Sequence, residues 1–284
     1  MELPLGCTWE TRGCHQLIRV STPQGQGLIS LSGAQLLSWT PAGGEPLVWL
    51  SPGADFDNGK PLRGGIPLCW PWFGPSVVPG LPQHGLARQL PWTLTASTAL
   101  EQATKFTFEL RDSDASRAIW PHAFILQLTL QLGQSIELAF RMRHAAATPQ
   151  TLGFCLHSYF AVPDALAATV SGVAGAMCHD KIVHISQPQT GTLQPGANYD
   201  AVFTGASGQY TLHRAPWPDI HIQTSNAPSV IVWNPGDEKS PTDMPDRCWT
   251  GMLCVEPGAA MEDRFILAPD TDYLTTMRIS TGAA

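Results

Sequence analysis

Strict alternation of apolar and polar residues narrows most sharply what this chain can fold into. Leu126, Leu128, Leu130 and Leu132 alternate with Gln127, Thr129 and Gln131, and Ile136, Leu138, Phe140 and Met142 follow against Glu137 and Arg141. Successive side chains of a strand point to opposite faces, so each run presents one apolar and one polar face. Between them, Gly133-Gln134 predicts a two-residue turn with glycine first. The pair reads as a hairpin with one buried face. Phe106, Phe108 and Leu110 repeat the pattern, and shorter strands are predicted at 152–160, 209–213, 219–224, 229–233, 251–256 and 272–280. Long helical periodicity is absent; a single turn is predicted at 165–168.

These strands imply an all-β fold, a large antiparallel sandwich with few short helical turns. The 284 residues suffice for one large β domain or two small ones. No segment reads as a linker and no fixed-period repeat occurs, so one domain spanning 1–284 is expected. Residues 43–91 are rich in proline and glycine and carry the densest polar motif, so they read as functional loops and short strands.

Composition removes several classes of function. The net charge of −7 argues against general nucleic-acid binding, which needs a basic face. No run of 18 apolar residues is present, so no membrane span is expected. The first residues lack a basic stretch followed by an apolar one, so no signal peptide is read there. Seven cysteines, an odd number with no Cys-x-x-Cys, point to free thiols in a reducing cytoplasm. There is no Gly-x-Ser-x-Gly elbow, P-loop, dinucleotide fingerprint or His-Glu-x-x-His. Histidines and cysteines show no usual metal-ligand spacing, which leaves open only a metal assembled from distant residues.

The candidate chemistry lies in three places. Arg63-Gly-Gly-Ile-Pro-Leu-Cys-Trp-Pro-Trp-Phe-Gly74 is followed by Gln83-His-Gly-Leu-Ala-Arg88, which sets Arg63, Gln83, His84 and Arg88 among glycines, prolines and tryptophans. Arginine matches a phosphate or carboxylate with a fork of donors, and tryptophan offers a flat apolar wall. Both arginines stand in acid-poor segments, which favours an external anion over an internal partner, while Trp70 and Trp72 read equally as core. In the run ending at Phe160, alternation puts Cys155, His157 and Tyr159 opposite Phe154, Leu156 and Phe160. A lone strand histidine is more often structural than catalytic, so position alone assigns it no role. Glu256 precedes Pro257-Gly258; proline should stop the ladder there and leave the carboxylate at a strand end. A surface glutamate at a turn and a partly desolvated general base are both open at this stage.

Six blocks in order give a family resemblance. They are the two stretches above, Leu156-His-Ser-Tyr-Phe160, Tyr199-Asp-Ala-Val-Phe203, Val232-Trp-Asn-Pro235 and Met252-Leu-Cys-Val-Glu256. Together they resemble the hexose-6-phosphate mutarotase branch of the aldose 1-epimerase (galactose mutarotase-like) superfamily. That resemblance implies a β-supersandwich with an open sugar cleft and anomer exchange of glucose 6-phosphate and related aldohexose 6-phosphates. It implies His157 as general acid and Glu256 as general base, with Arg63, Gln83, His84, Arg88 and Asp200 holding the substrate and no metal or cofactor. The chain departs from the family pattern at Leu86 and Gly236, where aromatics are common, and at Asn198, where an acid is frequent; these departures are expected at the pocket walls. The partner implied is a small sugar phosphate; no nucleic acid or membrane partner is expected, and the protein is expected to be a monomer.

Three other readings compete: an aldose 1-epimerase of free sugars, a non-catalytic carbohydrate-binding sandwich, and a glycoside hydrolase. The last needs two carboxylates, for which only Glu256 and Asp200 offer themselves. Opposite charges on His157 and Glu256 would lower the glutamate pKa and raise that of the histidine, while burial would do the reverse.

Overall fold

A computed structural model describes residues 2–282. Two eight-stranded antiparallel sheets face each other, beside a four-stranded sheet formed by Cys7–Arg12, His15–Thr22, Gly25–Ser30 and Gln35–Pro41. The first large sheet runs, edge to edge, through Thr169–Ser171, Gln209–His213, Ile220–Ser225, Asp272–Thr281, Ile136–His144, Phe124–Gly133, Ala103–Arg111 and Thr93–Ala99. The second runs through Ile185–Pro188, Met177–Asp180, Tyr199–Thr204, Ser229–Asn234, Met252–Ala259, Phe154–Leu156 and Leu68–Cys69, with Tyr159–Ala161 also paired to Met252–Ala259. The only α-helix among the described residues is Asp114–Ile119, its first turn closed by Ser113 and Ser116 in a reciprocal cap. Among the described residues no helix is long and apolar enough to cross a membrane.

The alternating runs fold as their period dictates. Leu126, Leu128, Leu130 and Leu132 lie opposite Met142, Phe140, Leu138 and Ile136, and all eight are buried. They meet Phe154, Leu156, Phe160, Val230, Val232, Leu253 and Val255 of the second sheet in one hydrophobic cluster. Each such side chain contributes about 1.5–3 kcal/mol by leaving water.

The hairpin turn differs from the expectation. Gln134-Ser135 forms the connection, while Gly133 stays in its strand, paired with Ala103, and accepts the Trp39 indole N–H at 3.0 Å. Glycine serves here because a Cβ would lie 2.5 Å from the Gln102 carbonyl oxygen; no left-handed conformation is involved.

Two further differences shape the cleft. The strand expected over 152–160 is broken at Gly153 and at His157-Ser158, leaving Gln150–Leu152, Phe154–Leu156 and Tyr159–Ala161. Pro257 does not end its strand: Met252–Ala259 continues through it, with Pro257 opposite Val230 and Gly258 opposite both Ser229 and Cys155. The Val255 N–H reaches the Ser158 carbonyl, so the proline nitrogen two residues on faces the same side, at the break after Leu156. No ladder donor is required there, and proline costs the sheet nothing.

Arg214 pins the loops beneath this sheet. It is 1% exposed, donates from Nη1 to the Pro46 and Ala161 carbonyls at 2.6 and 2.9 Å, and donates from Nε to Pro218 at 2.8 Å. Truncation would remove three hydrogen bonds, strand the buried Ala161 carbonyl and open a void. Arg214→Ala is expected to lower the unfolding free energy by about 3 kcal/mol or more, read by urea denaturation. A loss below about 1 kcal/mol would contradict this bracing role.

Candidate active site

The second sheet turns one face to the core and the other to a cleft. In Met252–Ala259, Leu253 and Val255 enter the core, so Cys254 and Glu256 face the opposite way. Their register partners Trp233 and Ile231, on Ser229–Asn234, share that face. Glu256 is therefore a mid-strand residue at the floor of a cavity of about 610 Å³, within the ~300–1,000 Å³ typical of small-molecule sites.

His157 reaches the same floor because the chain breaks its strand there. Its N–H donates to the Pro67 carbonyl at 3.0 Å, and the Tyr159 N–H donates to Gly65 at 2.9 Å, which lays the break against the Arg63–Gly74 stretch. Gly64 and Gly65 make the close passage possible: both have positive φ, and a Cβ would lie 2.6 Å from the Trp49 oxygen or 2.3 Å from that of Leu36. The imidazole stacks on Tyr159 with ring centres 4.8 Å apart, and its Nδ1 lies 3.1 Å from Glu256 Oε1. The other carboxylate oxygen, Oε2, accepts the Cys155 thiol at 3.2 Å.

Burial decides the charge of this pair. The Glu256 side chain is 1% exposed and that of His157 9%. Burial pushes the Glu256 carboxyl up to about 8, against the pull of the Cys155 hydrogen bond and the Lys181 charge. Burial, aided by His84 and the Arg88 and Arg63 charges, holds His157 well below the usual imidazole range. At neutral pH the resting pair is a carboxylic acid beside a neutral imidazole, sharing one proton.

His84 sits above the pair in a left-handed conformation, φ 65°. Two reciprocal bonds hold it: its N–H donates to the Gly74 carbonyl at 2.8 Å, and the Gly74 N–H donates to its Nδ1 at 3.1 Å. An accepting Nδ1 leaves the neutral ring's proton on Nε2. Burial lowers this histidine to about 3, with Arg88, Lys181 and Arg63 adding to the effect, so it serves as a neutral donor.

The remaining expected residues divide. Gln83, Asp200 and Arg63 line the cavity with His84, His157 and Glu256. Arg88 does not line it: its Nη2 donates to the Gln83 carbonyl at 3.1 Å and braces the Gln83-His84 backbone from behind. Arg63 is not free of acidic partners, since its Nε lies 3.1 Å from Asp243, 180 residues away in sequence, and its Nη1 donates to Tyr159 at 3.3 Å. Burial opposes the Arg63 charge, but Tyr159 and Asp243 outweigh it and the group stays protonated. Trp70 is core, packed on Trp120 and Phe124, and the Trp72 indole donates to the Pro82 carbonyl at 3.1 Å. The aromatic walls are Phe73 and Trp233 instead. Leu86, Asn198 and Gly236 lie off the walls; Asn198 and Gly236 meet each other in left-handed turns.

Lys181 had no signal in the sequence. It lies on the cavity wall with Nζ 2.8 Å from Asp200 and 5.4 Å from the centre of the Phe73 ring. The cleft thus joins a buried acid/base pair to two lining cations, with a flat aromatic wall between polar groups. His157, Cys254 and Glu256 also bring potential metal-ligand atoms within 4.8 Å of one another.

Comparison with known proteins gives the chain's relatives. Residues 16–280 match the family described as aldose 1-epimerase. A Salmonella typhimurium protein named "Putative glucose-6-phosphate 1-epimerase" is 38% identical over 248 residues, covering 84% of this chain and 82% of that protein. An Escherichia coli protein of the same name is 35% identical over 257 residues, covering 87% and 84%. A Salmonella typhimurium crystal structure titled "putative mutarotase" superposes with a TM-score of 0.93 at 32% identity, covering 100% of this chain and 96% of that one.

Proposed function

The chain belongs to the aldose 1-epimerase family, and from that premise we propose that it interconverts the α and β anomers of glucose 6-phosphate and related aldohexose 6-phosphates. The observation that carries the reading is the contact between Glu256 and His157 on the floor of a cleft that also holds Arg63 and Lys181. Anomer exchange needs one proton taken from the C1 hydroxyl and one given to the ring oxygen. The ring opens to an aldehyde, rotation about C1–C2 presents the other carbonyl face, and reclosure reverses both transfers.

In the reactive form, Glu256 is the base and His157 the acid. The proton they share must sit on His157 when the sugar binds, leaving Glu256 ionised to take the C1 proton. His84 Nε2–H, Gln83 and Asp200 bind hydroxyls, while Phe73 and Trp233 flank the ring. The phosphate, about two negative charges, draws on Lys181 and Arg63, and Arg88 supports the loop that carries Gln83 and His84. The seven thiols, free in the structure, fit a reducing cytoplasm. The acting unit is one domain and one monomer, with a sugar phosphate as its partner and no nucleic acid or membrane.

The test is exchange NMR at C1, with glucose 6-phosphate and glucose side by side. Faster exchange of the phosphosugar supports the proposal. Equal acceleration of both would favour a free-sugar epimerase, and binding without acceleration a non-catalytic module. Lys181→Met should raise KM for glucose 6-phosphate by about 10–100-fold, the worth of one charged hydrogen bond, and change that for glucose far less. An equal change on both sugars would remove Lys181 from the phosphate site.

A further inference from the structure

Cys254 plays no part in the acid/base scheme, yet it lies beside both members of the pair. It stands two residues before Glu256 on the same face of Met252–Ala259, and its Sγ is 3.9 Å from His157 Nδ1. His157 Nδ1 is 3.1 Å from Glu256 Oε1, and one donor atom from each of the three residues falls within 4.8 Å of the others. Zinc bonds of about 2.0–2.3 Å in a tetrahedron set neighbouring donors about 3.3–3.6 Å apart. The histidine–carboxylate separation is already near that spacing, and the sulfur–nitrogen separation needs to close by only a few tenths of an ångström.

We propose that His157, Cys254 and Glu256 form a binding site for zinc, and that zinc held there inhibits the protein. One nitrogen, one sulfur and one oxygen make a donor set suited to zinc and unlike the all-oxygen shells of magnesium and calcium. His157 and Glu256 line the cavity, so the fourth position of the ion faces the cleft. The bound ion occupies the lone pairs that the pair needs for proton transfer and stands where the sugar must approach. The inhibition, though not the binding, rests on the function proposed above.

Binding and inhibition are read separately, on full-length protein first stripped with a chelator. Cys14 is exposed and would capture metal by itself, so Cys14→Ser is the parent. Cadmium ion is the spectroscopic probe for thiolate ligation. The expected result is an ultraviolet thiolate–cadmium band that saturates at one equivalent and disappears in Cys14→Ser/Cys254→Ser. Zinc should block exchange of glucose 6-phosphate reversibly with chelator, and the Cys254 variant should keep its metal-free exchange while needing at least about tenfold more zinc for the same block. Cys254→Ala provides a second variant with the same readouts. No band in the parent, a band unchanged by both Cys254 variants, or equal zinc sensitivity of parent and variant would overturn the proposal. If the parent exchanged no sugar, the function would fail while the cadmium band still judged the site.

Discussion

Glu256→Gln should lose at least about 10²–10⁴-fold in catalysed anomer exchange, the usual worth of one positioned acid or base, and gain stability. The amide preserves the shape of the side chain and can donate to His157 Nδ1 and accept from the Cys155 thiol, so the fold has no reason to fail. It cannot take the C1 proton. The stability gain follows from burial. A group whose folded pKa is raised contributes its full share below the unfolded value and loses it as pH rises through the folded value. For Glu256 that window runs from the ordinary 4.5 to about 8. Across it the wild type loses ~1.4 kcal/mol per unit of pH relative to a glutamine that does not titrate, or ~3 kcal/mol by pH 7. Denaturant midpoints at pH 4.5 and 7 measure the difference. A variant that is inactive but gains no relative stability with pH would mean that Glu256 is ionised in the resting fold. A variant at wild-type rate would remove Glu256 as the base.

The second large effect is on the pH profile. The pair holds two protons in acid, one through the neutral range, and none above about 8. Exchange needs one proton on the pair, carried by His157, and the ratio of the two one-proton forms does not change with pH. After subtraction of the uncatalysed rate, kcat/KM should therefore stay level from about pH 6.5 to 7.5 and fall about tenfold per unit above about 8. Measurement above pH 6.5 keeps the substrate phosphate, with its second pKa near ~6, largely dianionic. An isolated imidazole acid beside an ordinary carboxylate would instead lose activity from ~6.5 upward. A decline beginning there would contradict the pairing.

These expectations could be drawn only in part from the sequence. Residues 126–142 announced their sheet because alternation is local, and every leucine on that face found the core. His157, Glu256, His84, Gln83 and Asp200 were recoverable as members of ordered motif blocks, and the cleft brings all five together. What escaped depends on pairing between distant segments. Asp243 answers Arg63 across 180 residues, and Lys181 reaches the wall only because Met177–Asp180 pairs with Tyr199–Thr204. Pro257 misled because a missing N–H matters only where a neighbour needs it, and the neighbouring strand is broken at that point. The balance between burial and mutual charge in the His157–Glu256 pair was likewise unreadable until the depth of Glu256 was known.

The most direct measurement of the central claim is exchange between the anomers of glucose 6-phosphate at pH 7, followed by NMR at C1 with wild type and Glu256→Gln at equal concentration. Rapid exchange with the wild type and exchange at the buffer rate with the variant is the predicted result. Exchange no faster than buffer with the wild type, or equally fast with both, would contradict it.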